Sequence, residues 1–407
     1  MRNSLRADWV LPIAGPPIEG GSVTIEDGRI VAVESTAPPD ATNLGRRVLM
    51  PGLVNAHTHL ELSYLQGRIP RAPSFTEWVR PLLAARRTPP DADTVQAHAA
   101  DAISDAVESG TVLFGDVSNS LGALGALRAS GVPGHVFYEL LGFNTPEPGA
   151  RVSEARARIA AERPAAGNAS EIRFSLAAHA PYSVSPALFD AIRRDSSAHG
   201  APTTVHLAEG REEVQLLADG TGPWRELLEA LGVWTDAWQP PAASPVEYLQ
   251  QRGFLDASTL IVHGAQCTAA DIARIRGLGA TLVSCPRSNA FVGAGEPPLA
   301  AFYDAGVPVA FGTDSLASVE DLNLFGELAE ARRLAPGVPA RRLLESATLV
   351  GARALGFGRD YGSLEPGKRA ALISVRVPSG VIDVEEYLLS GLTTEMRSEM
   401  PFPPPEA

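Results

Sequence analysis

From about residue 48 to residue 313, short β-branched or apolar runs alternate with longer Ala/Leu/Arg/Glu segments of helical period. This alternation limits the fold most, because apolar runs joined by helical crossovers pair in parallel. Eight runs stand at 50–57, 111–117, 134–141, 172–179, 202–208, 258–264, 280–285 and 307–313. Among the intervening helices are Asp93 to Glu108, ended by Gly110, and Ala269 to Gly277, opened by Thr268 as N-cap. Eight parallel strands with helices between them predict an α/β chain folded as a (β/α)8 TIM barrel. The competing arrangement is an open, doubly wound sheet.

Both flanks differ from this pattern. Ser22 to Ile25 and Arg29 to Val33 are β-like runs around the turn Glu26-Asp27-Gly28, and Gly362 to Pro378 returns to turn and strand character. Strands near the C-terminus could complete the N-terminal sheet, giving a small domain from 1–50 plus 360–395 beside the barrel at 51–359. One barrel connection, 210–256, is unusually long and holds Trp224, Trp234, Trp238 and a Pro-rich break at 240–245. On the C-terminal face it would act as a lid; the other reading is a helical hairpin packed outside. The tail Pro401 to Ala407 is too Pro-rich to pack regularly.

Charge narrows the partners. A formal net charge of −13 with no basic run repels polyanions, so nucleic acid and anionic membrane are not expected partners. The longest apolar stretches, 307–311 and 370–377, fall short of the roughly 20 residues a membrane span needs. Trp9 to Ala14, broken by Pro12, is too short for a secretory signal, so a cytoplasmic protein is expected and the sequon Asn168-Ala169-Ser170 carries no weight. Cys267 and Cys285 are the only cysteines, too few for a disulfide framework or a thiolate metal cage. Lys368 is the only lysine, which excludes chemistry that needs one in mid-chain.

Histidines gather where a barrel does its chemistry. In Asn55-Ala56-His57-Thr58-His59 the alternation of a strand puts both imidazoles on one face, ~7 Å apart along the chain, within reach of one ion. His206 ends the fifth run, and Glu209 lies just beyond it, placed to carry a proton beside that ion. His179 and His263 end the fourth and sixth runs. Asp314 follows Val-Pro-Val-Ala-Phe-Gly-Thr, where a carboxylate is expensive to bury unless a cation or hydrogen bonds satisfy it. Five of the eight histidines thus fall at C-terminal strand ends; His98, His135 and His199 do not and read as surface or packing residues. The concentration carries the argument, since any one of these residues alone reads as structural.

Other motifs fail on chemistry. Gly362 to Arg369 imitates a phosphate-binding loop but has Arg369 where Ser or Thr must bind magnesium. No His-Glu-x-x-His helix, Gly-x-Ser-x-Gly elbow or Pro-Cys-x-x-Cys zinc site occurs.

From about residue 20 to 370 the chain resembles the amidohydrolase superfamily, in its adenosine and aminodeoxyfutalosine deaminase branch. The matching segments are Pro51 to His59, His179-Ala180-Pro181-Tyr182-Ser183, His206 to Glu209, His263, Cys285-Pro286-Arg287-Ser288-Asn289 and Gly312-Thr313-Asp314-Ser315. The resemblance implies a TIM barrel with a small β-sandwich formed by both chain ends. It also implies that His57, His59, His206 and Asp314 hold one divalent metal and its water, zinc first and iron second, since lysine-bridged pairs are excluded. Metal binding lowers a water pKa towards about 7. His263 and Asp314 would orient that water and take its proton, and Glu209 would protonate a ring nitrogen before ammonia leaves. One departure is Ala371, where family members commonly carry Asp.

Ser244 to Leu249, Phe75 to Trp78 and Cys285 to Asn289 are similar to aminodeoxyfutalosine deaminases of the futalosine route to menaquinone. The resemblance then implies that His179 bonds the nucleoside, Trp78 packs on it and Arg287 meets a carboxylate. Structural readings of Trp78 and Arg287, as core packing and a surface ion pair, stand beside these. Rival functions are deamination of S-adenosylhomocysteine, methylthioadenosine or guanine, triazine dechlorination, and a catalytically silent metal-binding protein. The partner is a small-molecule substrate, and a homodimer is the assembly such barrels often take.

Overall fold

The computed structural model describes residues 2–162 and 171–392. The sequon at 168–170, the end of the expected terminal domain at 393–395 and the Pro-rich tail lie outside the described residues.

Eight parallel strands form two four-stranded sheets. Strands one to four are Leu53–Thr58, Thr111–Ser118, Gly134–Leu140 and Ile172–Ala178; strands five to eight are Thr203–Leu207, Thr259–His263, Thr281–Ser284 and Val309–Phe311. Registers such as Val205↔Ile261 and Val136↔Phe174 are parallel throughout. All eight lie in the expected runs, and each is buried along most of its length, as strands covered on both faces must be. Hydrogen bonds also link the sheets on both sides: the His206 amide donates to the His179 carbonyl at 2.8 Å, and the Asp314 amide to the His57 carbonyl at 3.0 Å.

Two boundaries differ from expectation for physical reasons. The run beginning at 50 is two strands, because Arg47–Pro51 pairs antiparallel with Leu372–Arg376 while Leu53–Thr58 starts the parallel set. Gly52 makes the break, and a Cβ there would collide with Val112. The last strand starts at Val309 because Pro308 has no N–H to give a ladder.

Helices follow their caps. Asp91 caps Ala92–Glu108, whose buried Ala99, Ala102, Ile103 and Ala106 form one stripe. Thr268 and Asp271 form a capping box at Ala269–Leu278.

The remaining strands form two further sheets. One runs Arg29–Glu34, Ser22–Glu26, Arg2–Arg6, Thr42–Asn43; the other Leu372–Arg376, Arg47–Pro51, Trp9–Val10, Ile18–Glu19. A strand from the far end of the chain therefore pairs with N-terminal strands, as the sequence suggested. Leu5, Val23 and Ile30 from the first sheet share an apolar cluster with Val10, Leu49 and Leu372 from the second.

The 210–256 connection folds as Arg211–Asp219, Pro223–Ala230 and Pro245–Gln251. Trp224, Leu228, Leu231 and Val233 from it line a cavity at the C-terminal ends of the parallel strands, while Trp234 stacks on Phe143 with ring centroids 5.5 Å apart.

Candidate metal centre and its cavity

The C-terminal ends of the parallel strands surround a cavity of about 350 Å³. His59, His179, His206, Glu209, His263 and Asp314 line it together with Trp78. Arg287 does not. Its guanidinium is held by Glu327 at 2.7 Å and Asp321 at 2.8 Å, so the expected carboxylate contact gives way to the ion-pair reading.

His57, His59 and His206 bring ring nitrogens within 4.8 Å of one another. The Nε2 atoms of His59 and His206 are 3.3 Å apart, and Asp314 Oδ1 lies 3.8 Å from His57 Nε2 and 3.6 Å from His59 Nε2. His57 Nε2 is buried and has no hydrogen-bond partner. Such a nitrogen is costly unless something binds it. Burial first, then neighbouring imidazoles, holds the His57 and His206 pKa values well below 6.5. For His59 burial also lowers the value, opposed by the Asp314 charge. All three rings are thus neutral, and a neutral imidazole offers a metal its lone pair. His206 turns Nδ1 to the His179 carbonyl, 3.1 Å away, which directs Nε2 into the site. Three imidazoles and a carboxylate fit one divalent ion that accepts nitrogen and oxygen ligands, zinc or iron.

Asp314 is oriented from several sides. Its Oδ1 accepts from the Ser315 amide at 2.8 Å; its Oδ2 accepts from Ser288 Oγ at 2.6 Å and Ser318 Oγ at 3.2 Å. Behind it, Asn55 and Thr313 bond reciprocally, tying the ends of strands one and eight. At Gly312 a Cβ would come within 2.7 Å of the His57 Cβ, so glycine lets the two strand ends meet. Ala208, His263 and Asp314 all have positive φ, at 52°, 74° and 63°. Left-handed backbone at non-glycine residues costs about 1–2 kcal/mol apiece, and its clustering here marks a site that the surrounding fold enforces.

Glu209 and His263 face one another. His263 Nδ1 bonds Asn289 Oδ1 at 2.8 Å, leaving Nε2 as an acceptor 3.4 Å from Glu209 Oε1. Burial, then the charges of Asp314 and Glu213, raises the Glu209 pKa well above the usual carboxyl value, which favours its protonated form. Tyr182 Oη donates to Glu209 Oε2 at 3.4 Å, and the Glu209 amide donates to Glu213 Oε2 at 2.9 Å.

Several residues of the site carried no role in the sequence reading: Ser288, Asn289, Tyr182, Asn119, Arg86 and Glu139. Glu139 stands one residue before the end of strand three, 3.4 Å from His206 Nδ1 and outside hydrogen-bond geometry with it. It had a signal, since a carboxylate ending an apolar run is what drew attention to Asp314. His135, read as packing, is buried with Nδ1 bonded to the Leu355 carbonyl at 3.1 Å and Nε2 to Ser175 Oγ at 2.8 Å.

The amidohydrolase family model matches residues 48–387. The chain is 29% identical to the 5-methylthioadenosine/S-adenosylhomocysteine deaminase of Moorella thermoacetica, over 90% of this chain and 83% of that enzyme. It is 33% identical to the aminodeoxyfutalosine deaminase of Deinococcus radiodurans, over 78% and 76%. Among solved structures it resembles a zinc-bound adenosine deaminase from Xanthomonas campestris, with a TM-score of 0.80 and 27% identity over 97% of this chain and 90% of that one.

Proposed function

The chain belongs to the amidohydrolase family, and we propose that it deaminates an adenine-type nucleoside hydrolytically, with aminodeoxyfutalosine as substrate. One observation carries the reaction type: the buried Glu209 carboxyl, its pKa raised first by burial, stands 3.4 Å from His263 Nε2 beside the three-histidine cluster. Addition of water to an amidine carbon needs such a donor at the neighbouring ring nitrogen. The choice of substrate is supported by the 33% identity with the Deinococcus enzyme and by a cavity wall of Phe75, Trp78, Phe143, Tyr182 and Trp224, suited to a large aromatic arm.

In this reading His57, His59, His206 and Asp314 hold one zinc ion, which when bound polarises a water and lowers its pKa towards about 7. Asp314, fixed by Ser288, Ser318 and the Ser315 amide, orients the water and with His263 takes its proton. Glu209 gives its proton to the ring nitrogen next to the amidine carbon as the water oxygen adds to that carbon. The amino group takes up the proton removed from the water and leaves the tetrahedral carbon as ammonia, while the added hydroxyl returns its proton to Glu209 as the carbonyl forms. His179, its Nδ1 bonded to Ser183 Oγ at 2.5 Å, bonds the nucleoside, and Trp78 packs on it.

Closure of the eight strands into one barrel belongs to the same reading, supported by hydrogen bonds at both seams. So does stacking of the terminal sheets as a small sandwich around their shared apolar cluster. The 210–256 connection serves as lid over the cavity, on the strength of its four lining residues.

The test is a panel of adenosine, S-adenosylhomocysteine, methylthioadenosine, aminodeoxyfutalosine, guanine and cytosine, following ammonia release and the ultraviolet change from adenine to hypoxanthine. Selective turnover of aminodeoxyfutalosine is the expected result; turnover of none of the six would overturn the reading.

A further inference from the structure

Strand five ends at Leu207, and the helix Arg211–Asp219 begins four residues later, with Glu209 in the link between them. Ala208 turns the chain with φ at 52°, a left-handed conformation that a non-glycine residue holds only where its surroundings enforce it. Beyond this corner the Glu209 carboxyl comes within 3.4 Å of His263 Nε2. From one side the link is tied to the chain after strand six: the Gly264 amide donates to the Leu207 carbonyl at 3.1 Å, and the Gln266 amide to the Ala208 carbonyl at 2.8 Å.

From the other side it is held by a second carboxyl. Glu213 is the third residue of the helix and is fully buried. In a capping box the side chain at this position bonds the amide of the N-cap, here Gly210. Glu213 reaches one residue further back, and its Oε2 accepts from the Glu209 amide at 2.9 Å. Burial pushes the Glu213 pKa up to about 8, opposed by hydrogen bonding from the Glu209 and Ala208 amides, so both residues of the corner bear on this one group. Its Oε1 is buried with no hydrogen-bond partner, an expensive condition for a carboxyl. Glu209 lines the cavity and Glu213 does not, so Glu213 stands behind the proposed proton donor, out of reach of a substrate.

We infer that Glu213 is a positioning residue for the reaction: by accepting the Glu209 amide it fixes the Ala208 corner and aims the Glu209 carboxyl at His263 and at the substrate's ring nitrogen. This inference rests on the nucleoside-deaminase reading and adds what places the donor. The corner requires an acceptor oxygen at this reach, and an uncharged one serves as well as a charged one.

The experiment separates reach from charge. Glu213→Asp keeps a carboxyl but withdraws the acceptor by one C–C bond, about 1.5 Å. Glu213→Gln keeps an acceptor oxygen at full reach and removes the ionisable group. Each is compared with the wild type for kcat and KM on whichever of adenosine, methylthioadenosine and aminodeoxyfutalosine the wild type turns over fastest, for bound metal, and for hydrogen–deuterium exchange in the segment 204–212. In Glu213→Asp, kcat should fall by about 10–100-fold, the scale of a catalytic group misplaced by about 1 Å, with KM within about twofold of wild type. Its metal content should be unchanged, and exchange in 204–212 should quicken. Glu213→Gln should hold kcat within about fivefold of wild type, because the bond to the Glu209 amide survives. In a Glu209→Gln background, where no proton donor remains to be aimed, Glu213→Asp should add less than about twofold. Wild-type kcat in Glu213→Asp, an equal loss in Glu213→Gln, or the same further loss with and without Glu209→Gln would each overturn the inference while leaving deamination in place. Turnover of no nucleoside by the wild type would overturn the nucleoside reading and, with it, the role assigned to Glu213.

Discussion

Two buried histidines on the parallel strands show how burial alone differs from a site. His135 lies near the N-terminal end of strand three with both nitrogens bonded, to Leu355 and Ser175. His57 lies at the C-terminal end of strand one, equally buried, with Nε2 unpartnered and Asp314 Oδ1 3.8 Å away. Burial depresses the pKa of both. At His135 the neutral ring completes a hydrogen-bond network; at His57 it leaves a lone pair directed at other ligands. The strand end, and what converges there, separates a packing residue from a candidate metal ligand.

If the two ends differ in this way, changes at them should differ in kind. The largest effect is expected from Glu209→Gln, which keeps the shape and removes the proposed proton donor. Deamination should fall by about 10²–10⁴-fold, the usual worth of a general acid, with metal content unchanged by elemental analysis. Equal loss from Ser175→Ala, at the other end, would erase the distinction.

Acid should expose the base next. The unfolded chain binds a proton at His135 below about 6.5, whereas the folded chain does so only at about 4. Because the folded value is depressed, this histidine's contribution is intact above about 6.5 and is lost as pH falls towards 4. The loss amounts to about 3 kcal/mol at most. Denaturant titrations between these pH values should show a shallower decline for His135→Gln than for the wild type; parallel curves would contradict the assignment.

A smaller effect is expected from the residues that hold the site from behind. Ser288→Ala and Asn289→Ala should each reduce metal affinity or turnover by about 10–100-fold, measured by competition with a chelator and by initial rates. The smallest effect belongs to His135→Ala, which should cost about 1–3 kcal/mol of stability for the groups left unbonded while turnover at neutral pH persists.

Much of this contrast was legible in the residues, and the rest was hidden for definable reasons. The strands could be read because each is a short apolar run between caps and turns, and His57, His59, His206, His263 and Asp314 because they end such runs. Short edge pieces such as Trp9–Val10 and Thr42–Asn43 have no period to read and exist only through their partners. The segment Cys285 to Asn289 was recognisable as a motif, but its geometry was not. It forms the helix Pro286–Phe291, where successive side chains point about 100° apart. Ser288 and Asn289 therefore meet Asp314 and His263, while Arg287 turns to Glu327. Arg86 gave no signal, because an arginine in a helix rich in Arg and Ala looks like solvated surface until the helix is packed against the cavity.

The most direct test is a zinc titration of chelated protein, recording deamination of aminodeoxyfutalosine at each step, for the wild type and His57→Ala. The expected result is activity that rises linearly and breaks at one equivalent per chain, with no such rise in His57→Ala. Activity that survives complete chelation, or a variant that titrates like the wild type, would contradict a single metal held at the C-terminal ends of these strands.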